Sequence, residues 1–129
     1  RDFFRHSHLI ERFRGRMQIM VGPCHFVLPG LALGAQGFIA SGPELLGADA
    51  ARIVGLARAA PGPEYARVHH QLVAVYEMMM SLGTWPAALK AALNLQGLPA
   101  GVPREPVLAL EGVPLEKLRK TLSRLGLSG

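Results

Sequence analysis

Two short apolar runs, separated by a segment of helical length, constrain the fold of this chain more than any other feature. The runs are residues 17–21 and 37–40, and each is followed closely by a Gly-Pro pair. Sixteen residues separate Val21 from Phe38, and a parallel crossover needs about a dozen or more. Neither run alternates polar and apolar residues, which is typical of strands covered on both faces. The stretch therefore predicts one β-α-β unit of a parallel sheet.

The predicted unit also indicates where a ligand would bind. Residues 25–33 between the runs suit a short helix, and Gly34 follows where a positive φ would end it. Ligands of parallel α/β sheets bind beyond the carboxyl ends of the strands. Those ends are residues 22–25 and 39–42, and we expect both loops at one edge. Buried parallel strands need neighbours on both sides, so we expect this chain to be part of a larger fold.

The rest of the chain predicts helices, because its apolar residues recur at spacings of three and four. The first third alternates helix and strand, whereas the remainder is nearly all helical after the Pro-Gly-Pro break at residue 61. We therefore expect an α/β part at residues 1–60 and a helical extension at residues 61–129. Within the extension, residues 98–112 are rich in Pro and Gly and predict a loop. The predicted helices are residues 3–14 with Asp2 as N-cap, 43–59, 64–82, 86–96 and 114–125.

Composition narrows the class of protein. Half of the 129 residues are apolar and only 18% are charged, which indicates a chain that buries a core rather than a disordered one. The single cysteine excludes an internal disulfide framework and suits a reducing compartment. We see no apolar run long enough for a membrane span and no signal peptide. We therefore expect a cytoplasmic protein, and the first residue, Arg1, suggests that the natural start lies upstream.

The net charge of +5 raises the question of a nucleic-acid partner. Eleven of the fourteen basic residues are arginine, and five of these lie in the first sixteen positions. Phe3, Ile10 and the other apolar residues there form one stripe, which leaves Arg5, Arg12 and Arg16 on the opposite helix face. This spacing favours a solvated helix face over a phosphate-binding patch. We expect no nucleic-acid partner.

The side chains that commonly carry chemistry do not assemble into a known motif. The histidines at residues 6–8 and 69–70 lack the i, i+4 spacing that places two ligands on one helix face, so no metal site is predicted. Cys24 and His25 are adjacent, but neighbouring side chains rarely point together, and no third orienting group is evident. The glycines of residues 34–37 precede a strand, whereas a dinucleotide fingerprint follows one. The residues alone predict a pocket without a resident acid, base or metal.

The segment IMVGPCHFVLPGLALGAQGFIAS, followed by AALKAALNLQGL and GVPREPV, resembles the dihydrodipicolinate synthase/N-acetylneuraminate lyase family of pyruvate-dependent class I aldolases. The likeness is in the order and spacing of short motifs across essentially the whole chain. It implies an α/β fold: the last two strands of a (β/α)₈ TIM barrel over residues 1–60, then a helical C-terminal domain over 61–129. It also implies a cytoplasmic homotetramer. The matching motifs are Val21-Gly22, Leu33-Gly34-Ala35 and Gly37-Phe38-Ile39-Ala40.

The resemblance implies Schiff-base chemistry between pyruvate and an aldehyde or 2-oxo acid, without a cofactor. A lysine amine would attack the pyruvate ketone, and the iminium would act as an electron sink. In the family this lysine ends the sixth strand, so we expect it upstream of Arg1. By resemblance, Gly22 and Ile39 line the pyruvate pocket, where a side chain at Gly22 would crowd the ligand. Cys24, His25 and Ser41 match positions that contact the second substrate.

One feature bears on the identity of the substrate, and a second keeps an alternative function open. Members of the diaminopimelate pathway commonly carry two acidic residues after the glycine, whereas this chain has Pro23-Cys24. That difference favours a relative that acts on another 2-oxo acid. The lysines present, at positions 90, 117 and 120, all fall on predicted tail helices, so the isolated chain is expected to show no turnover. The alternative is a non-catalytic structural or interaction module derived from the barrel.

Overall fold

The computed structural model describes residues 2–129. Its contacts group the chain into two compact units, Arg1–Val73 (unit 1) and Ala74–Gly129 (unit 2). Their boundary lies inside a long helix. The predicted division between residues 60 and 61 remains a prediction.

Unit 1 begins with a capped helix and contains the parallel strand pair. Helix α1 (Phe3–Phe13) starts where the Phe4 amide donates to the Asp2 carboxylate at 2.9 Å, which confirms Asp2 as N-cap. Strands β1 (Met20–Val21) and β2 (Gly37–Phe38) pair in parallel, with Val21 opposite Phe38. The predicted parallel pairing is confirmed, although each strand is shorter than its apolar run.

A short crossover packs closely on the first strand. A 3₁₀ turn (Cys24–Phe26) leads into helix α2 (Val27–Ala32), and Gly34 follows with φ of 109°. A Cβ atom added at Gly30 would lie 2.7 Å from Val21 Cγ2. Glycine at position 30 therefore lets the helix backbone approach the strand, and Val21, Val27 and Leu28 are completely buried there.

The predicted helix over residues 43–59 is wrong as a single helix. The segment forms a 3₁₀ turn (Pro43–Leu46) and then helix α3 (Ala48–Arg58). Gly47 separates them with φ of 56° and ψ of −124°, a backbone conformation that cannot continue a helix. After this break Ile53 and Ala57, spaced i, i+4, provide the buried face, whereas Leu56 is partly exposed.

Helix α4 (Pro63–Ser81) completes unit 1 with its first half. Val68 and Leu72 are buried there. Ion pairs join the beginnings of α3 and α4: Arg67 lies 2.7 Å from Asp49 and Arg52 lies 2.6 Å from Glu64. Both arginines and Glu64 are 44–59% exposed and Asp49 is 24% exposed, so solvent screens each pair and it stabilises the fold only modestly.

Unit 2 contains the rest of α4, helix α5 (Trp85–Leu95) and helix α6 (Gly112–Arg124). Residues 98–111 between α5 and α6 form no helix or strand, as the sequence predicts. Two side chains of α5 hold this connection: Lys90 Nζ donates to the Ala100 carbonyl at 2.5 Å, and Asn94 Nδ2 donates to the Gly101 carbonyl at 2.9 Å.

Within residues 2–129, no single helix is both long and apolar enough to cross a membrane. Helices α4 and α5 taken together meet the length and composition, but the chain bends by 119° between them.

Candidate functional site

The carboxyl ends of β1 and β2 lie side by side, as the sequence predicts for a parallel pair. The Ile39 amide donates to the Val21 carbonyl at 2.9 Å and so extends the ladder one residue beyond β2. This bond places Ile39 beside Gly22 at one edge of the sheet. We call residues 22–25 and 39–42 the edge loops. The adjacency that the predicted pocket requires is present, while the binding roles of both residues remain predictions.

The surface at Gly22 and Ile39 is open. A Cβ atom added at Gly22 would meet no heavy atom within 4 Å, and its φ lies outside the left-handed region. The fold of this chain therefore does not itself require glycine at position 22. The Ile39 side chain is 79% exposed, so it offers apolar surface for a ligand or for other protein atoms.

Cys24 has a side chain that faces the protein interior. Its thiol is 1% exposed and donates to the Leu72 carbonyl at 3.5 Å. Burial raises the pKa of the Cys24 thiol to about 11; backbone hydrogen bonds partly offset this, and the negative charge of Glu44 adds to it. A thiol held protonated and out of solvent is a poor nucleophile. Any contact between Cys24 and a substrate would therefore involve its backbone atoms.

His25 and Ser41 differ in the contacts that their side chains make with the rest of the protein. The His25 ring is partly buried and lies against Phe26, with ring centroids 4.1 Å apart. The Ser41 side chain is partly exposed, and its hydroxyl forms no hydrogen bond to any residue in the range 2–129. Both follow the carboxyl ends of the strands, so a ligand over Gly22 and Ile39 would lie near them.

Sequence reasoning missed one carboxylate at this edge. This carboxylate belongs to Glu44, which directly follows Pro43 in the sequence. In the structure its Oε2 atom accepts a hydrogen bond from the Gly42 amide at 2.7 Å. The pattern Ser41-Gly42-Pro43-Glu44 before an apolar pair indicates such a bond, because an acidic side chain in a first turn often reaches back to a capping amide.

The remaining histidines and lysines belong to other elements of the chain. Throughout the described chain, residues 2–129, no three His, Cys, Asp or Glu side chains are arranged to hold a metal ion. His69 on α4 has its pKa lowered by burial and by the neighbouring His70. The lysines at positions 90, 117 and 120 belong to unit 2, whereas both edge loops belong to unit 1.

Comparisons of sequence agree on one family. The model of the dihydrodipicolinate synthetase family matches residues 1–125. An uncharacterised DapA-like lyase of Pyrobaculum arsenaticum is 31% identical, over 98% of this chain and 44% of the relative. A 4-hydroxy-tetrahydrodipicolinate synthase of Oceanobacillus iheyensis is 27% identical, over 91% of this chain and 39% of the relative. The chain therefore spans less than half the length of these relatives.

Comparisons of structure point the same way. The crystal structure of N-acetylneuraminate lyase from Fusobacterium nucleatum, complexed with pyruvate, matches 96% of this chain and 42% of that chain, with a TM-score of 0.78 and 25% identity. A dihydrodipicolinate synthase from Aquifex aeolicus matches 98% of this chain and 43% of that chain, with a TM-score of 0.80. At 21% identity, the latter match shows likeness of fold alone.

Proposed function

This chain belongs to the dihydrodipicolinate synthetase family, and on that premise we propose that it forms part of a Schiff-base, pyruvate-dependent lyase or aldolase. Its relatives carry the names of lyases and synthases of this family. One observation in this chain supports the proposal: Gly22 and Ile39 lie side by side at the carboxyl edge of a parallel pair, with open space above Gly22.

The proposed fold is the last two strands of a (β/α)₈ barrel followed by a helical domain over residues 61–129. The parallel pair supports it, because such strands need neighbours that a two-stranded sheet does not provide. The remaining strands would come from the rest of the full-length protein. The same source would supply the reactive lysine, which the family resemblance places upstream of Arg1. The lysines of this chain lie on helices α5 and α6, at positions that do not match it.

In the proposed reaction, the lysine amine attacks the ketone of pyruvate, and loss of water gives an iminium. The iminium accepts the electron pair that develops when a C–C bond beside it breaks, or stabilises the enamine that adds to an aldehyde. Within this scheme Gly22 leaves room for pyruvate, and Ile39 provides an apolar wall that excludes water. The backbone of Cys24 and the side chains of His25 and Ser41 would contact the second substrate.

Borohydride trapping tests the proposal directly. The full-length protein is incubated with pyruvate, reduced with borohydride and digested, and the modified peptide is identified by mass spectrometry. We expect one modified lysine, encoded upstream of Arg1. The 129-residue chain alone is the matched control, and its lysines at positions 90, 117 and 120 should stay unmodified. Absence of an adduct in the full-length protein would instead favour the non-catalytic structural or interaction module.

Further properties belong to the same proposal. The Pro23-Cys24 sequence, in place of two acidic residues, supports a second substrate other than that of lysine biosynthesis. Among candidate aldehydes and 2-oxo acids, the one that reacts fastest with the enamine of the unreduced pyruvate adduct would identify this second substrate. A cytoplasmic homotetramer is proposed by analogy with the family. Light scattering of the full-length protein tests its mass, and fractionation of its host tests its location.

A further inference from the structure

The chain turns sharply at two glycines, Gly42 at the end of the second edge loop and Gly47 after it. Gly42 has φ of 121° and Gly47 has φ of 56°, and the 3₁₀ turn Pro43–Leu46 lies between them. Glycine loses more conformational freedom on folding than any other residue, so such a loop needs a specific contact to hold one conformation. Here the Gly42 amide donates to Glu44 Oε2 at 2.7 Å.

Across residues 2–129, no arginine, lysine or histidine forms an ion pair with Glu44. The Gly42 amide is thus its hydrogen-bond donor, and a charge-assisted bond of this kind is stronger than one between neutral groups. Burial is the main cause of the raised pKa of Cys24, and the Glu44 carboxylate lies close enough to the first edge loop for its charge to add to that rise.

We infer that Glu44 is a positioning residue for the candidate site: by holding the Gly42 amide, it sets the backbone of residues 39–42 beside Gly22. The segment it holds carries the exposed Ile39 side chain and the Ser41 hydroxyl, which has no hydrogen bond to the described residues. This role rests on the proposed function, because it assigns pyruvate to the surface that Ile39 and Gly22 form.

Glu44→Ala and Glu44→Gln separate positioning from charge alone. Each variant of the full-length protein is titrated with pyruvate in the borohydride assay, and the half-saturating concentration is measured. We expect Glu44→Ala to raise that concentration about tenfold, because the loop loses its charge-assisted bond. Glu44→Gln keeps an acceptor oxygen for the Gly42 amide and should stay within about threefold of the wild type. Glu77→Ala, which removes an exposed carboxylate of α4, is the matched control and should match the wild type.

Amide exchange provides a readout that is independent of activity. The Gly42 amide should exchange faster with solvent in Glu44→Ala than in the wild type, with Glu44→Gln between them. Equal half-saturation in Glu44→Ala and Glu77→Ala, despite a wild-type adduct, would overturn the positioning role and leave the proposed function standing. A wild type without any adduct would overturn both, even where exchange at Gly42 still responds to Glu44.

Discussion

Gly22→Ala separates a glycine needed by the fold from one needed by a ligand. A Cβ atom at this position meets no heavy atom within 4 Å, and the backbone is not left-handed. The substitution should therefore leave the free energy of unfolding unchanged or raise it by up to about 1 kcal/mol, since alanine restricts the unfolded chain. A pyruvate molecule seated over Gly22 would instead be crowded by the new methyl group.

The size of the binding effect follows from overpacking. An extra methyl in a filled site costs about 1–3 kcal/mol, which corresponds to about 5- to 150-fold weaker binding. The assay is the borohydride titration of the full-length protein, with thermal unfolding measured on the same samples. We expect the half-saturating pyruvate concentration to rise within that range while the midpoint of unfolding does not fall.

Gly55→Ala is the matched control for this experiment. Gly55 lies within α3, has no neighbour within 4 Å of an added Cβ and has no positive φ. Alanine there should stabilise the helix by up to about 1 kcal/mol and leave pyruvate binding unchanged. The reasoning would be refuted by a Gly22→Ala protein that binds pyruvate as tightly as Gly55→Ala, or by one that loses stability without binding more weakly.

Two further predictions concern the core around the edge loops. Gly30→Ala should destabilise the protein by about 1–2 kcal/mol, because the clash with Val21 at 2.7 Å outweighs the better helix propensity; a midpoint of unfolding equal to that of Gly55→Ala would contradict this. The pKa of the Cys24 thiol, raised to about 11, keeps the folded state protonated where the unfolded state ionises. Stability should therefore fall by about 1.4 kcal/mol per pH unit between pH 9 and 11, measured by denaturant unfolding. The Cys24→Ala variant should lack this fall in stability. An identical pH profile of stability in both proteins would contradict the raised pKa of Cys24.

Local pattern was sufficient to predict most helices, the parallel pair and the candidate edge. The apolar runs, their separation and the glycines after them are short-range properties, so the sequence alone assigns residues 22–25 and 39–42 to strand ends. The single helix over residues 43–59 failed because apolar periodicity continues through Gly47, while its backbone conformation depends on how the turn packs. The sequence predicts that Cys24 lies in a loop, but no local pattern indicates that its side chain points toward α4.

The sequence by itself determined the class of structure, the family resemblance and the positions of the strand ends, because periodicity and motif order are read along the chain. Tertiary structure decided which side chains face the edge. The burial of Cys24 against Leu72 and the open space above Gly22 arise from packing between elements, and the bond from Gly42 to Glu44 forms inside a turn. These contacts depend on distances between residues far apart in sequence or on a turn that periodicity does not describe. Chemistry at the site follows from them, since burial and hydrogen bonding determine which groups ionise, move or meet a ligand.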